Sequence, residues 1–132
     1  MKQSSITQQG FVTNRVYSNV RRAGIFLFSS GQSPIDPKTG KLVEGKISEQ
    51  VVQVMENIKQ LLQGETLKFS DVLKTTVFLT NMDDFPVLNK IYGRYFQVHL
   101  PARSCVVVSS LPYGACVEIE FVACDTSNEI ES

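Results

Sequence analysis

Arg103 and Glu118 are the side chains of this sequence whose type and setting best suit chemistry. Pro101-Ala102-Arg103-Ser104 puts the arginine at a loop-to-strand junction, just before the apolar run Cys105-Val106-Val107-Val108. A guanidinium in such company is costly to desolvate unless it meets an anion. Its fork of donors matches a carboxylate through two parallel hydrogen bonds. On spacing alone, an intramolecular salt bridge is the simpler account. Glu118 and Glu120 share one face of an otherwise apolar strand. A solvated face is the ordinary fate of such a pair; a partly buried member near Arg103 would be able to handle protons or orient water. Tyr17 offers a hydroxyl or an aromatic wall, although core packing is commoner. Asn89 lies beside Leu88 in an expected helix, where most asparagines are simply solvated. His99, near the end of that helix, suits the negative end of its dipole, and no nucleophile–base pair is identifiable around it. Arg21-Arg22 reads as a solvated doublet before a strand.

Other chemistries lack their signatures. Cys105, Cys116 and Cys124 are an odd number at spacings that match no zinc or redox motif. With one histidine and no C-x-x-C, a closed zinc site is not expected, and the thiols read as reduced packing residues. The eight glycines form neither G-x-G-x-x-G nor G-x-x-x-x-G-K, so no nucleotide phosphate loop is indicated. No metal is expected.

The elements that must position these residues are legible from periodicity. Residues 15–30 contain two strand-like segments, Gly24 to Phe28 being the clearer. Ser30 to Gly40 is rich in turn formers and reads as loop, with Gly31 and Gly40 free to take positive φ. Val51, Val52, Met55, Ile58, Leu61 and Leu62 recur at helical spacing. Ser48 is placed to cap that helix, Glu49 suits its N-terminal dipole, and Gly64 sits where a C-cap belongs. Val72 to Leu79 reads as a strand. Asp83, Asp84 and Pro86 mark a second helix, with Leu88, Ile91, Tyr92, Tyr95 and Phe96 as its buried stripe and Pro101 as its limit. Ser104 to Ser109 is strand-like, Leu111 to Gly114 is a turn, and Ala115 to Ala123 alternates. The order β-β-α-β-α-β-β gives an α+β domain of about five strands and two helices. Two helices cover only one face of such a sheet. Strands apolar on both faces therefore require a further partner, and self-association is the economical one. A subunit interface also offers a small-molecule cleft.

Composition bounds the rest. The 132 residues read as a single domain, 1–132, with a core over about 15–124 and a polar, acidic tail over 126–132. Apolar residues make up 42% and charged residues 20%, which excludes a disordered or collagen-like chain. Thirteen basic residues balance thirteen acidic ones, and that weighs against a dedicated nucleic-acid binder. No apolar run approaches the ~20 residues that span a bilayer, and the start is polar where a signal peptide needs an apolar stretch. The expected setting is cytoplasmic, away from the membrane.

Several spaced motifs carry a resemblance. Ser30-Gly31-Gln32 with Pro34, Pro37 and Thr39-Gly40, then Leu73 to Leu79 with Asp84-Phe85, and above all Pro101 to Val106 followed by Val117-Glu118-Ile119-Glu120, resemble the Rid family. These are the reactive intermediate deaminases, or YjgF proteins, and the likeness, strongest to the RidA branch, runs from about Tyr17 to Ala123. It implies a chorismate-mutase-like subunit in a homotrimer with clefts between subunits. The implied activity is cofactor-free hydrolysis of 2-imino acids or their enamine tautomers (2-iminobutanoate, 2-iminopropanoate or 2-aminoacrylate) to 2-oxo acids and ammonia. That would limit damage from by-products of pyridoxal-phosphate enzymes. By the same resemblance Arg103 holds the substrate carboxylate. Glu118 acts in proton transfer, helped by a pKa raised by burial, and main-chain groups near Cys105 help place water. Tyr17, Gly31 and Asn89 line the cleft. Arg15-Val16-Tyr17-Ser18-Asn19 departs from the Gly-Pro before and Ser-Gln after the tyrosine in many relatives, which alters the loop over the cleft. Two other classes stay in view: a non-catalytic 2-oxo-acid-binding trimer, and an RNA-acting translation inhibitor or endoribonuclease.

Overall fold

The helical stripe starting near Val51 is the scaffold on which the sheet packs. The computed structural model describes residues 16–127. Residues 1–15, Arg15 among them, and 128–132, most of the expected tail, lie outside the described residues. Helix α1 spans Ile47–Gly64 and buries Gln50, Val51, Val54, Met55, Ile58, Leu61 and Leu62. Val52 is turned away and 38% exposed. Gln50 joins the buried face instead, because its Oε1 accepts the Cys116 N–H at 2.8 Å. Ser48 does not cap the helix. The residue before the first turn is Lys46, whose backbone N–H donates to Glu49 Oε1 at 2.8 Å, and Ser48 Oγ donates to the same oxygen at 3.0 Å. These bonds hold the Glu49 carboxyl below the usual carboxylate range.

The C-terminus of α1 also differs from expectation, for a packing reason. Leu67 N–H bonds to the Leu62 carbonyl at 2.8 Å and Thr66 N–H to that of Gln63 at 3.0 Å, the paired bonds of a Schellman turn. Buried Leu67 thereby folds back beside buried Leu62. The left-handed residue this demands is Thr66, at φ 62°, two positions past Gly64. A β-branched residue there costs roughly 1–2 kcal/mol, whereas glycine's extra chain entropy costs roughly 0.5–1 kcal/mol. Thr66→Gly is therefore expected to raise stability by about 0.5–1 kcal/mol, read as a higher urea midpoint at unchanged slope; an equal or lower midpoint refutes it.

The described residues form seven strands, numbered in chain order: β1 (Val20–Ala23), β2 (Phe26–Ser29), β3 (Ile35–Asp36), β4 (Lys41–Leu42), β5 (Val72–Leu79), β6 (Ala102–Val107) and β7 (Val117–Cys124). Five make one sheet in the order β1-β2-β7-β5-β6, and β3, inside the stretch expected to be loop, pairs with β4 just past its end. Helix α2 (Phe85–Tyr95) carries the chain from β5 to the parallel edge strand β6. The helix ends well before Pro101, so His99 lies beyond its last turn and is exposed.

Alternation assigns the two sheet faces. Leu27, Val77, Leu79, Val117, Ile119, Phe121 and Ala123 are buried under the helices. On the other face Phe28 pairs with Val122, Glu120 with Thr76, and Glu118 with Phe78, which itself pairs with Val106. Phe26, Phe28 and Val106 remain 41–45% exposed there. Full burial of such side chains contributes roughly 1.5–3 kcal/mol each, so the uncovered face retains a driving force for association. Arg22 corrects the reading of a solvated doublet. It lies within β1, and its guanidinium donates to Glu65 Oε1 and Asp125 Oδ2, each at 3.0 Å, tying β1 to the ends of α1 and β7. Among the described residues no helix is long and apolar enough to cross a membrane.

Candidate active site

Glu118 sits second in β7 on the uncovered face, beside Gly31. Gln32 runs alongside the same strand: its N–H donates to the Ile119 carbonyl at 2.8 Å, and the Ile119 N–H returns a bond at 3.2 Å. Two further ties fix this loop. Asn57 of α1 donates its amide to the carbonyls of Ser33 and Ile35 at 3.2 and 2.9 Å. Ser30 Oγ donates to the Ser18 carbonyl at 2.6 Å, and Ser30 N–H to the Asn19 carbonyl at 2.9 Å. Tyr17, adjacent to that anchor, is 65% exposed.

Gly31 has its own steric reason. A Cβ there would collide with Glu118 Oε2, so only glycine leaves the carboxyl in place. This replaces the expected role of positive φ, which Gly40 does adopt, at 73°. Burial pushes the Glu118 carboxyl above its ordinary value, and the like charge of Glu120 adds to the rise. A long contact from Ser33 Oγ, 3.5 Å from Oε1, opposes it. Both glutamates are half-buried, and Glu118 is the one packed against Gly31.

Arg103 is the second residue of β6, not a junction residue, because the strand begins two residues earlier than Ser104. Its register partner is Thr75, a buried residue of the helix-covered face. The guanidinium carbon lies 4.9 Å from the centroid of Tyr92 and 5.5 Å from that of Phe85, both on α2. Among the described residues no Asp or Glu pairs with it, so the intramolecular salt bridge favoured by spacing does not form. Arg103 and Glu118 therefore face opposite sides of one sheet. The condition set for proton handling, a partly buried glutamate beside Arg103, is therefore not met within one chain.

The family model described as Endoribonuclease L-PSP matches residues 7–125. The chain belongs to the Rid (YjgF) family. A RutC family protein of Pyrococcus horikoshii is 49% identical over 107 residues, covering 81% of this chain and 85% of the relative. A Salmonella typhimurium protein named 2-iminobutanoate/2-iminopropanoate deaminase is 43% identical over 103 residues, covering 76% and 80%. The solved structure of YyfA from Yersinia pestis, described as a protein of unknown function of the conserved Rid family, superposes with a TM-score of 0.82 at 42% identity. That match covers 85% of this chain and 90% of that one. The fold is accordingly the chorismate-mutase-like α+β subunit.

Within this Rid subunit the remaining site candidates are Cys105 and Asn89. Cys105 follows Arg103 on the helix-covered face and packs against the core. Burial pushes its thiol up, with Arg103 opposing. Asn89 is exposed on α2. Among the described residues no group of three His, Cys, Asp or Glu is placed to hold a metal ion. Sequence reasoning missed Ser33, Phe85 and Tyr92 as neighbours of the site. Tyr92 was legible only as part of an apolar stripe, and the register pairing Thr75 with Arg103 leaves no local trace.

Proposed function

We propose that this Rid protein hydrolyses reactive 2-imino acids, or their enamine tautomers, to 2-oxo acids and ammonia in clefts between the subunits of a homotrimer. The observation that carries this reading is an arginine without a carboxylate partner among the described residues, opposed through the sheet by a half-buried glutamic acid. One copy cannot bring both to one small substrate, so the acid of one copy faces the arginine of the next. The name of the Salmonella relative supports the same substrate class.

Arg103 binds the substrate carboxylate through its two parallel donors, which fixes the imine carbon. Glu118 orients a water molecule and accepts its proton as oxygen bonds to that carbon. That proton passes to nitrogen to give the carbinolamine; Glu118 then relays the hydroxyl proton to the same nitrogen, the carbon–nitrogen bond breaks, and ammonia leaves as the carbonyl forms. Main-chain groups at Cys105 help place the water, and Tyr17, Gly31 and Asn89 line the cleft. A free imine hydrolyses readily in water, so orientation supplies most of the acceleration required.

The test couples threonine dehydratase to semicarbazide, which traps the released imine. Addition of this protein is expected to lower the trapped fraction. No decrease with several imino acids overturns the reading and leaves 2-oxo-acid binding without turnover, measurable by calorimetry. The family model's description favours an RNA substrate instead; the zero net charge weighs against it, and salt-dependent RNA cleavage would establish it.

A further inference from the structure

Phe85 and Tyr92 stand outside the residues so far given a role, yet they hold the arginine. Both rings lie within cation–π range of its guanidinium. The Tyr92 hydroxyl is not available to a ligand, because it makes a 2.7 Å hydrogen bond with buried Thr75 Oγ1. Thr75 is also the register partner of Arg103 across β5 and β6. One residue thus pins the ring from the sheet, while its neighbouring strand lays the guanidinium on that ring. A guanidinium held over ring faces meets no acceptor there that would engage its N–H donors. An ion pair would occupy those donors; an aromatic face does not.

We infer that Phe85 and Tyr92 are positioning residues, an aromatic clamp that orients Arg103 and keeps its donors uncommitted for a ligand carboxylate. The inference deepens the proposed reading of Arg103 and rests on it. Stacking holds the charge without competing for the anion, so the site is preorganised before the ligand arrives.

The experiment uses the full-length protein, with 2-oxobutanoate as the calorimetric probe and the Arg103 side-chain Nε–H signal as a ligand-free readout. In wild type that signal is expected to be displaced by the ring currents. Phe85→Met keeps volume but removes the π face; it is expected to lose part of the displacement and to bind 2-oxobutanoate roughly five- to thirty-fold more weakly. Phe85→Tyr retains both rings and the Thr75–Tyr92 bond and is expected to bind within about twofold of wild type. Wild-type affinity in Phe85→Met, or equal weakening in Phe85→Met and Phe85→Tyr, overturns the clamp. A displaced Arg103 signal in a wild-type protein that binds no 2-oxobutanoate overturns the carboxylate role itself and reduces the stack to packing.

Discussion

Replacing Arg103 with alanine is expected to lower kcat/KM for 2-iminobutanoate at least about thirtyfold while the oligomer persists. Truncating one partner of a desolvated, hydrogen-bonded charge pair generally costs 2–5 kcal/mol or more, and about 1.4 kcal/mol is tenfold. The loss falls on a ligand contact, not on the core, because Arg103 pairs with no acidic residue among the described residues that its removal would strand. Stability is expected to fall only by about 1 kcal/mol, the worth of the stack on Phe85 and Tyr92. Arg103→Lys keeps the charge but not the fork, and is expected to retain a small fraction of activity. Imine trapping gives the rate and sedimentation velocity the assembly; a fully active Arg103→Ala protein sinks the assignment.

The architecture was legible because each element carries its own local signal. The stripe of α1, the alternation of β7 and the β5–α2–β6 order all follow from periodicities of 3.6 and 2. Element ends were less legible, and each miss has a tertiary cause. Thr66, not Gly64, takes the left-handed position because Leu67 must return to the core beside Leu62. Val52 leaves the buried face because Gln50 is held there by the Cys116 N–H. At the site, residue types were legible and relations were not. Spacing marked Arg103 and Glu118 as unusual, but the sheet face of each depends on strand order and register, which pair Thr75 with Arg103 and Phe78 with Glu118. Spacing therefore favoured a salt bridge where the register supplies two aromatic rings. That same register turns a single-chain pair of groups into an argument for assembly. The surplus apolar surface noted in the sequence and the separation of acid from arginine call for the same remedy, a second copy against the uncovered face.

Glu118→Gln is expected to separate activity from stability in opposite directions. Glutamine keeps the shape beside Gly31 and Ser33 but accepts no proton, and loss of a positioned acid–base group typically costs 10²–10⁴-fold; a fall of about a hundredfold is expected here. The stability effect follows from the raised pKa of the folded acid. Between the ordinary carboxyl value and the raised one, the folded chain binds more protons than the unfolded chain, so stability declines as pH rises through that window. Above it the cost of the half-buried charge is fully present; below the ordinary value both states are protonated and the cost is gone. Glu118→Gln is therefore expected to melt above wild type at neutral pH, with the two melting curves converging as the pH drops below about 4. The acidic limb of wild-type kcat/KM should have its midpoint above the ordinary glutamate value and should vanish in the variant, since turnover uses the carboxylate form. A variant that is inactive yet no more stable at neutral pH would show that Glu118 pays no desolvation cost in the folded protein. An active one would remove it from the chemistry altogether, and leave Gly31 as the close approach to a carboxyl that serves only the fold.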